Sequence, residues 1–173
     1  KRRVGIIIGN IVLPTESSSQ FSDEQFKALF EKQLKIASDN KPDTTEALNR
    51  YVAGLPGGLL AKALGLGAGA YTLDAACASS LYSLKYAVDE LVAGRTDAML
   101  AGGVSRPDSL YTQMGFSQLN AISKSGRCSP FDSKADGLVV GEGAGIFVLK
   151  RLEDAIAQDD HIYATIAGIG LSN

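Results

Sequence analysis

Apolar and polar positions along the chain follow two periods, which predict strands alternating with helices. Residues 4–8 form an apolar, largely β-branched run beside glycines, as expected for a strand buried on both faces. Ala70–Leu73 is a second apolar run, and residues 98–101 are a third. Between these two, residues 78–93 carry apolar side chains at helical spacing. The alternation predicts an α/β class with a largely parallel central sheet.

The helix predicted over residues 78–93 has one apolar stripe. Its members recur every three or four residues and are Leu81, Leu84, Val88 and Leu91. The same criteria predict further helices at residues 22–37, 46–52, 59–64, 109–114 and 150–157, and further strands at residues 138–140, 145–149 and 162–169. Glycine and proline predict a break at residues 54–58, and Gly115 is expected to begin a long polar loop.

Composition narrows the class of protein. A hydrophobic content of 45% and a charged content of 21% are typical of a globular protein, and 173 residues suffice for one sizeable core. The net charge of −2 gives no basis for a nucleic-acid surface. No apolar run is long enough to span a bilayer, and no signal peptide is recognisable. Two cysteines make no disulfide framework, so we expect a cytoplasmic protein.

Two nucleotide-binding motifs can be set aside. The glycines of residues 64–69 precede a predicted strand, whereas a dinucleotide fingerprint follows a strand and opens a helix. No glycine-lysine-serine or glycine-lysine-threonine sequence is present, which excludes a P-loop. We interpret residues 64–69 as a loop that leads into the strand Ala70–Leu73.

Cys77 is the candidate nucleophile, because it stands between a strand and a helix. The first turn of a helix has unpaired N–H groups and a partial positive charge, which stabilise a thiolate. Small neighbours such as Ala76 and Ala78 leave room for an acyl group, and the Cys77 N–H could donate to an oxyanion. The alternative is that Cys77 is a small buried apolar residue, as free cysteines commonly are.

The segment Asp74–Leu81, with the sequence DAACASSL, resembles the active-site signature of β-ketoacyl synthases. Three further blocks occur in the order found in that family, at residues 97–104, 129–132 and 136–145. The resemblance covers nearly the whole chain. It is strongest to the ketosynthase domains of multidomain polyunsaturated fatty acid and polyketide synthases.

The resemblance implies a thiolase-like fold, in which two βαβαβαββ halves pack as a five-layer α-β-α-β-α sandwich. Residues 1–149 would be most of the N-terminal half, and residues 150–173 the linking helix and first strand of the C-terminal half. The chain opens directly on an interior strand, so we expect a partial domain, truncated at both ends.

The resemblance also implies a reaction, in which Cys77 takes an acyl chain from a carrier thioester for decarboxylative Claisen condensation with a malonyl-carrier protein. No cofactor or metal would be bound, and the substrates would be carried on the phosphopantetheine of acyl carrier protein. Family members use two histidines of the C-terminal half for decarboxylation. The one histidine here, His161, is expected in a surface loop, so the isolated chain should not catalyse condensation.

Two other residues, Phe116 and Leu138, are assigned roles through the resemblance, and Asp74 and Glu142 are assigned roles from their sequence surroundings. Phe116 matches a phenylalanine that lines the acyl pocket, although a core aromatic is an equal alternative. Leu138 stands where many relatives carry a phenylalanine at the pocket mouth, and this departure leaves its gating role open. Asp74 and Glu142 are expected to brace the loops of the site rather than transfer protons. Cys128 is read as incidental.

The expected partners are acyl carrier protein and a second copy of the chain. Scattered basic residues could meet an acidic carrier or simply be solvated: Lys62, Lys124, Arg127 and Lys134. The strand Ala70–Leu73 would pair across a two-fold axis to form a homodimer. Alternatives are another thiolase-fold acyltransferase, a non-catalytic partner of the chain-length-factor kind, and a structural or interaction module. No nucleic acid or membrane partner is expected.

Overall fold

The structure is a computed structural model that describes residues 3–11, 55–106 and 110–172. The predicted helices at residues 22–37 and 46–52 lie outside the described residues. Among those described, no helix is long and apolar enough to cross a membrane.

The described strands form one sheet in the order β2-β1-β3-β4. β1 (Val4–Gly9) pairs in parallel with β2 (Ala70–Leu73) on one side and with β3 (Ala98–Ser105) on the other. β4 (Gly143–Leu149) runs antiparallel to β3 along its far side. These pairings confirm the largely parallel sheet. Ile6, Ile7 and Ile8 of β1 are 0% exposed, which confirms the predicted central strand.

Helices cover β1 from both sides and divide the core in two. α1 (Leu55–Leu64) lies against one face, where Ile6 and Ile8 pack with Ala61. α2 (Ser79–Val92) lies against the other face, where Ile7 packs with residues of α2 and β3: Ala87, Leu91, Met99 and Ala101. Each face of the central strand is therefore buried by a different helix.

The buried side of α2 agrees only in part with the predicted stripe. Its buried residues recur every fourth position and are Ser79, Ser83, Ala87 and Leu91, whereas Leu81 is 65% exposed. The reason is close packing of the backbones: a β-carbon on Gly9 would lie only 2.5 Å from the Ser79 carbonyl carbon. Small side chains permit that approach. Leu91 of the predicted stripe is nevertheless part of the core, and Leu84 packs against it.

Two predicted interruptions are helical in the structure. α1 begins at Leu55, so Pro56, Gly57 and Gly58 form its first turn rather than a break. Proline is well accommodated there because the first helical N–H groups have no partner within the helix. α3 (Leu110–Gln118) continues through Gly115 and Phe116, where a loop was predicted. One helical glycine costs only about 1 kcal/mol, so it does not by itself end a helix.

The predicted strands beyond α3 are only partly correct. Residues 138–140 make a single bridge, between Ile122 and Leu138, instead of a strand, and β4 begins two residues earlier than predicted. α4 (Leu152–Ala157) follows it. Residues 162–169 form no strand. No described strand pairs with them, and a strand needs such a partner for its backbone hydrogen bonds.

Candidate active site

A cleft of about 850 Å³ opens where β1, β2 and β3 end. Ligands of open parallel sheets commonly bind at this carboxyl edge. The walls come from the end of β1, the start of α2, the end of β3, α3, and the segment leading into β4. Cys77, Phe116 and Leu138, which are far apart in sequence, all line this one cleft.

Cys77 lies in a single 3₁₀ turn, Ala76–Ala78, that leads directly into α2. Its thiol is free and exposed, which contradicts the alternative of a buried apolar cysteine. The turn places Cys77 beside the first N–H groups of a 14-residue helix, where negative charge is stabilised. Cys128 is also free and exposed, but it is not among the residues that line the cleft.

The turn before Cys77 is sharply bent. Ala76 has φ of 49°, in the left-handed region that residues with a β-carbon seldom adopt. The Asp74 Oδ1 atom accepts a hydrogen bond of 2.9 Å from the Ala76 N–H. This contact is the kind that the predicted bracing role of Asp74 requires.

The hydroxyl of Ser79 bonds the same turn from the other side. Its Oγ atom accepts from the Ala75 N–H at 2.9 Å and donates to the Ala76 carbonyl oxygen at 2.6 Å. The backbone N–H of Ser79 also donates to the Ala76 carbonyl oxygen. Nothing in the sequence pattern singled out Ser79, because a serine after an active-site residue is not distinctive.

Apolar side chains form a large part of the cleft lining. Phe116 is half-buried on α3, Leu138 is 36% exposed, and Phe147 of β4 is 62% exposed. Their placement around one open space gives a surface suited to a hydrocarbon chain. Phe116 thus faces the cleft with Cys77, as the pocket role predicted for it requires.

Glycine backbone forms a large part of the cleft wall. The glycines that line the cleft come from three strands and one loop: Gly9, Gly102, Gly103, Gly141, Gly143 and Gly145. At Gly102 a β-carbon would lie 1.9 Å from the Gly145 carbonyl oxygen. β3 and β4 therefore approach each other too closely for any larger residue at that position.

Leu138 is held by a hydrogen-bonded clamp that the sequence patterns did not reveal. Its backbone N–H donates to the Ala121 carbonyl oxygen and its carbonyl oxygen accepts from the Ser123 N–H, both at 2.8 Å. Nearby, the Asp136 carboxylate accepts from the Ser123 hydroxyl at 2.5 Å and from the Ser125 N–H at 2.9 Å. These bonds, the one from the Ser123 hydroxyl foremost, hold the pKa of Asp136 below its usual value.

Two of the residues singled out earlier lie away from Cys77. Glu142 is exposed and lines a smaller recess beside the cleft, near Asn10 and Arg106. Its predicted bracing role stays a prediction. His161 is exposed, as predicted. Its ring packs edge-on against Tyr163, with 4.4 Å between the ring centroids, and it does not line the cleft.

Within the described residues, no cluster of three or more histidine, cysteine or acidic side chains could hold a metal ion.

Comparison with known proteins points to one family. The family model described as "Beta-ketoacyl synthase, N-terminal domain" matches residues 1–155. One polypeptide of the polyunsaturated fatty acid synthase of Thraustochytrium sp. is 38% identical over 99% of this chain, which spans 9% of that protein. One polypeptide of the phenolphthiocerol/phthiocerol polyketide synthase of Mycobacterium tuberculosis is 44% identical over 64% of this chain, with 6% of that protein covered.

Solved structures give the same result. A structure described as "PfaC Keto synthase-Chain length factor" superimposes with a TM-score of 0.76 and 42% identity, covering 94% of this chain and 18% of that one. A ketosynthase from module 6 of the bacillaene synthase of Bacillus subtilis gives a TM-score of 0.67 and 28% identity, covering 94% and 24%. A third structure, of a type II polyketide synthase acyl-carrier protein in complex with its ketosynthase, gives 0.67 and 26%, covering 94% and 40%.

Proposed function

This chain belongs to the β-ketoacyl synthase family and has its thiolase-like fold, and from that premise we propose that it carries the acyl-accepting nucleophile of a β-ketoacyl-[acyl carrier protein] synthase. The observation that carries the proposal is the free, exposed thiol of Cys77, which lies in the turn leading into α2 and lines a cleft with apolar side chains. The parent would act in fatty acid, polyunsaturated fatty acid or polyketide synthesis, as the proteins it resembles are named to do.

The first step is transfer of an acyl group from one thioester to another. The Cys77 thiolate attacks the thioester carbonyl carbon of an acyl chain carried on phosphopantetheine. The new carbon–sulfur bond to Cys77 forms, the bond to the carrier sulfur breaks, and the released carrier thiolate takes up a proton. The backbone N–H of Cys77, in the turn that leads into α2, would donate to the oxyanion that develops.

The acyl chain would lie along the apolar side of the cleft. Phe116 and Leu138 line the same space as Cys77, so a chain attached to the sulfur has apolar surface within reach. Burial of each methylene contributes about 0.8 kcal/mol, so even a short chain gains several kcal/mol from such a surface. A leucine at position 138 occupies less of the cleft than the phenylalanine found in many relatives, and it would leave more room for the substrate.

Condensation itself needs groups other than those of this cleft. Loss of carbon dioxide from the malonyl group leaves an enolate, whose oxygen must be stabilised by hydrogen-bond donors before its carbon attacks the acyl-cysteine. His161 is the one histidine in the sequence, and it does not line the cleft. The chain spans about a tenth or less of the curated relatives above, and condensation is proposed for the whole synthase, with residues beyond those of this cleft.

The proposal includes two binding partners, an acyl carrier protein and a second copy of the chain. The carrier would approach the cleft across the segment before Leu138, where Lys124, Arg127 and Lys134 are exposed and can attract an acidic surface. A second copy would pair along β2, the edge strand of the described sheet, whose outer backbone groups are available for a further strand. Analytical ultracentrifugation showing a dimer would support this pairing, and a monomer at all concentrations would contradict it.

Acylation can be tested directly on the chain. After incubation with octanoyl-pantetheine, intact mass spectrometry should show one added octanoyl group, and peptide mapping should place it on Cys77. The Cys128→Ser variant should be acylated as the wild type is, and Cys77→Ala should not be acylated. Equal modification of Cys77 and Cys128, or none of either, would contradict the proposal.

A non-catalytic partner of the chain-length-factor kind is the second candidate, because the similar PfaC structure includes such a factor in its description. Proteins of that kind lack the active cysteine, whereas Cys77 is present and exposed. A non-catalytic structural or interaction module would likewise give no acylated Cys77. The family match over residues 1–155 argues against other thiolase-fold acyltransferases.

A further inference from the structure

Ser79 is buried two residues beyond Cys77, with 6% of its surface exposed. Its hydroxyl spans the bend, since it accepts from the Ala75 N–H and donates to the Ala76 carbonyl oxygen. The two bonds therefore hold one backbone group before Ala76, the Ala75 N–H, and the carbonyl oxygen of Ala76 itself. A hydroxyl that caps a helix accepts from N–H groups of that helix, whereas the Ser79 hydroxyl accepts from the Ala75 N–H, which precedes the turn.

Ala76 needs such support because its backbone is left-handed, with φ of 49°. A residue with a β-carbon holds this conformation only when the surrounding structure fixes it. Asp74 Oδ1 fixes the Ala76 N–H at 2.9 Å, and Ser79 fixes the Ala76 carbonyl. Without the Ser79 hydroxyl, one of these two attachments is weakened and the peptide before Cys77 can relax.

Ser79 is itself anchored to the sheet. Its carbonyl carbon lies so close to β1 that a β-carbon on Gly9 would come within 2.5 Å of it. The position of Ser79 is thereby set by the central strand, and the bend of Cys77 is set by Ser79. The geometry points to a chain of fixed contacts from β1 through Ser79 to the peptide that carries Cys77.

We propose that Ser79 is a positioning residue for Cys77, whose hydroxyl holds Ala76 in the left-handed conformation that directs the thiol into the cleft. This inference rests on the proposed function, because it takes Cys77 as the group to be positioned. It adds a residue that acts on Cys77 through the backbone and does not itself touch the substrate.

Ser83 offers a matched control one helical turn further on. It is 0% exposed on the same side of α2, and its Oγ atom lies 2.6 Å from the Ser80 carbonyl oxygen and 2.7 Å from that of Gly102. Ser83→Ala therefore removes a buried serine hydroxyl from the same helix face without touching the bend. Any general loss of helix packing should affect both serine variants, whereas loss of thiol positioning should affect only Ser79→Ala.

The experiment compares the wild type with Ser79→Ala, Ser83→Ala, Ala76→Gly and the double variant Ala76→Gly/Ser79→Ala. Two rates are measured: alkylation by iodoacetamide, expressed as the ratio of Cys77 to Cys128 labelling within each protein, and acylation by octanoyl-pantetheine. Circular dichroism and thermal unfolding report folding. Cys128 serves as an internal reference because it is exposed and does not line the cleft.

Ser79→Ala should lower both rates at Cys77 by about tenfold or more, because small misplacements of a reacting group cost up to about 100-fold. Ser83→Ala should leave the labelling ratio near that of the wild type, even if it lowers the unfolding temperature as much as Ser79→Ala does. Ala76→Gly should restore most of the loss in the double variant, since glycine adopts the left-handed conformation without support. Equal changes in the two serine variants, or no rescue by glycine, would overturn the proposal.

Three further outcomes are also decisive. If Ser79→Ala does not fold, the double variant decides: a folded protein with a near-normal labelling ratio supports the proposal, and an unfolded protein or a low ratio overturns it. If the wild type is not acylated but the labelling ratios change as expected, the proposed function fails and the role of Ser79 stands. If the wild type is acylated and the ratios do not change, the role of Ser79 fails alone.

Discussion

Replacing Gly9 by alanine should displace the start of α2 and with it Cys77. A β-carbon on Gly9 would lie 2.5 Å from the Ser79 carbonyl carbon, 2.6 Å from its oxygen and 2.7 Å from the Ser80 nitrogen. All three are backbone atoms, so no side-chain rotation can relieve the contact. Ordinary contact begins near 3.4 Å, so the helix start must retreat by about 0.9 Å.

The size of the effect follows from this displacement. Forcing one extra carbon into a packed interior costs about 1–3 kcal/mol, against a total stability of about 5–15 kcal/mol. Gly9→Ala should therefore fold, with an unfolding temperature lower by about 2–12 °C. A shift of nearly 1 Å at the nucleophile should slow acylation by about 10–100-fold.

The assay is thermal unfolding together with the ratio of iodoacetamide labelling at Cys77 to that at Cys128. Gly58→Ala is the control, since no atom lies within 4 Å of the β-carbon it would gain. On the exposed side of α1, that change should be neutral or stabilising by up to about 1 kcal/mol. A Gly9→Ala protein with the unfolding temperature and labelling ratio of the wild type would refute the reasoning that β1 sets the place of Cys77.

The remaining predictions concern the clamp, the cleft, α3 and the reaction. Hydrogen bonds lower the pKa of Asp136 in the folded state below its ordinary value of 3.8. The ionised carboxylate therefore stabilises the folded protein at pH values above 3.8, and this contribution is lost as the pH falls through the lowered pKa. Asp136→Asn should therefore flatten the decline in unfolding temperature below about pH 4, and an unchanged decline would contradict the clamp. Leu138→Phe should slow acylation by octanoyl-pantetheine more than by acetyl-pantetheine, and equal slowing would argue against its place in the cleft. Gly115→Ala, whose added β-carbon meets nothing within 4 Å, should stabilise the chain by about 0.5–1 kcal/mol in thermal unfolding, and destabilisation would count against α3. The chain should release no carbon dioxide from malonyl-carrier protein, and steady release would show that His161 or another group here supports decarboxylation.

Sequence patterns predicted correctly the elements that depend mainly on residues near one another in the chain. β1 was predicted correctly because an unbroken apolar run suits a strand buried on both faces. The bend at Cys77 was predicted because small residues separate a strand from a helix. The short helix before β2 was found, but its start was misplaced, since glycine was given too much weight as a helix breaker.

Features that depend on distant partners could not be found in this way. The buried face of α2 consists largely of serine and alanine because Gly9 brings β1 against the helix backbone, and periodicity alone favours the larger leucines. The clamp around Leu138 joins Asp136 to Ser123 across 13 positions, and neither residue is distinctive by itself. Residues 162–169 have the composition of a strand, but a strand also requires a neighbour to pair with.

The glycine wall of the cleft has a consequence for how substrate preference can change. Main-chain atoms fill that wall so tightly at Gly9 and Gly102 that a single substitution would shift a whole strand or helix rather than reshape the cavity. Phe116 and Leu138 line the same cavity from a helix and a loop, where exchange is tolerated more readily. Selection for longer or shorter acyl chains, in evolution or in the laboratory, is therefore expected to act at positions such as Phe116 and Leu138 rather than at Gly9 or Gly102.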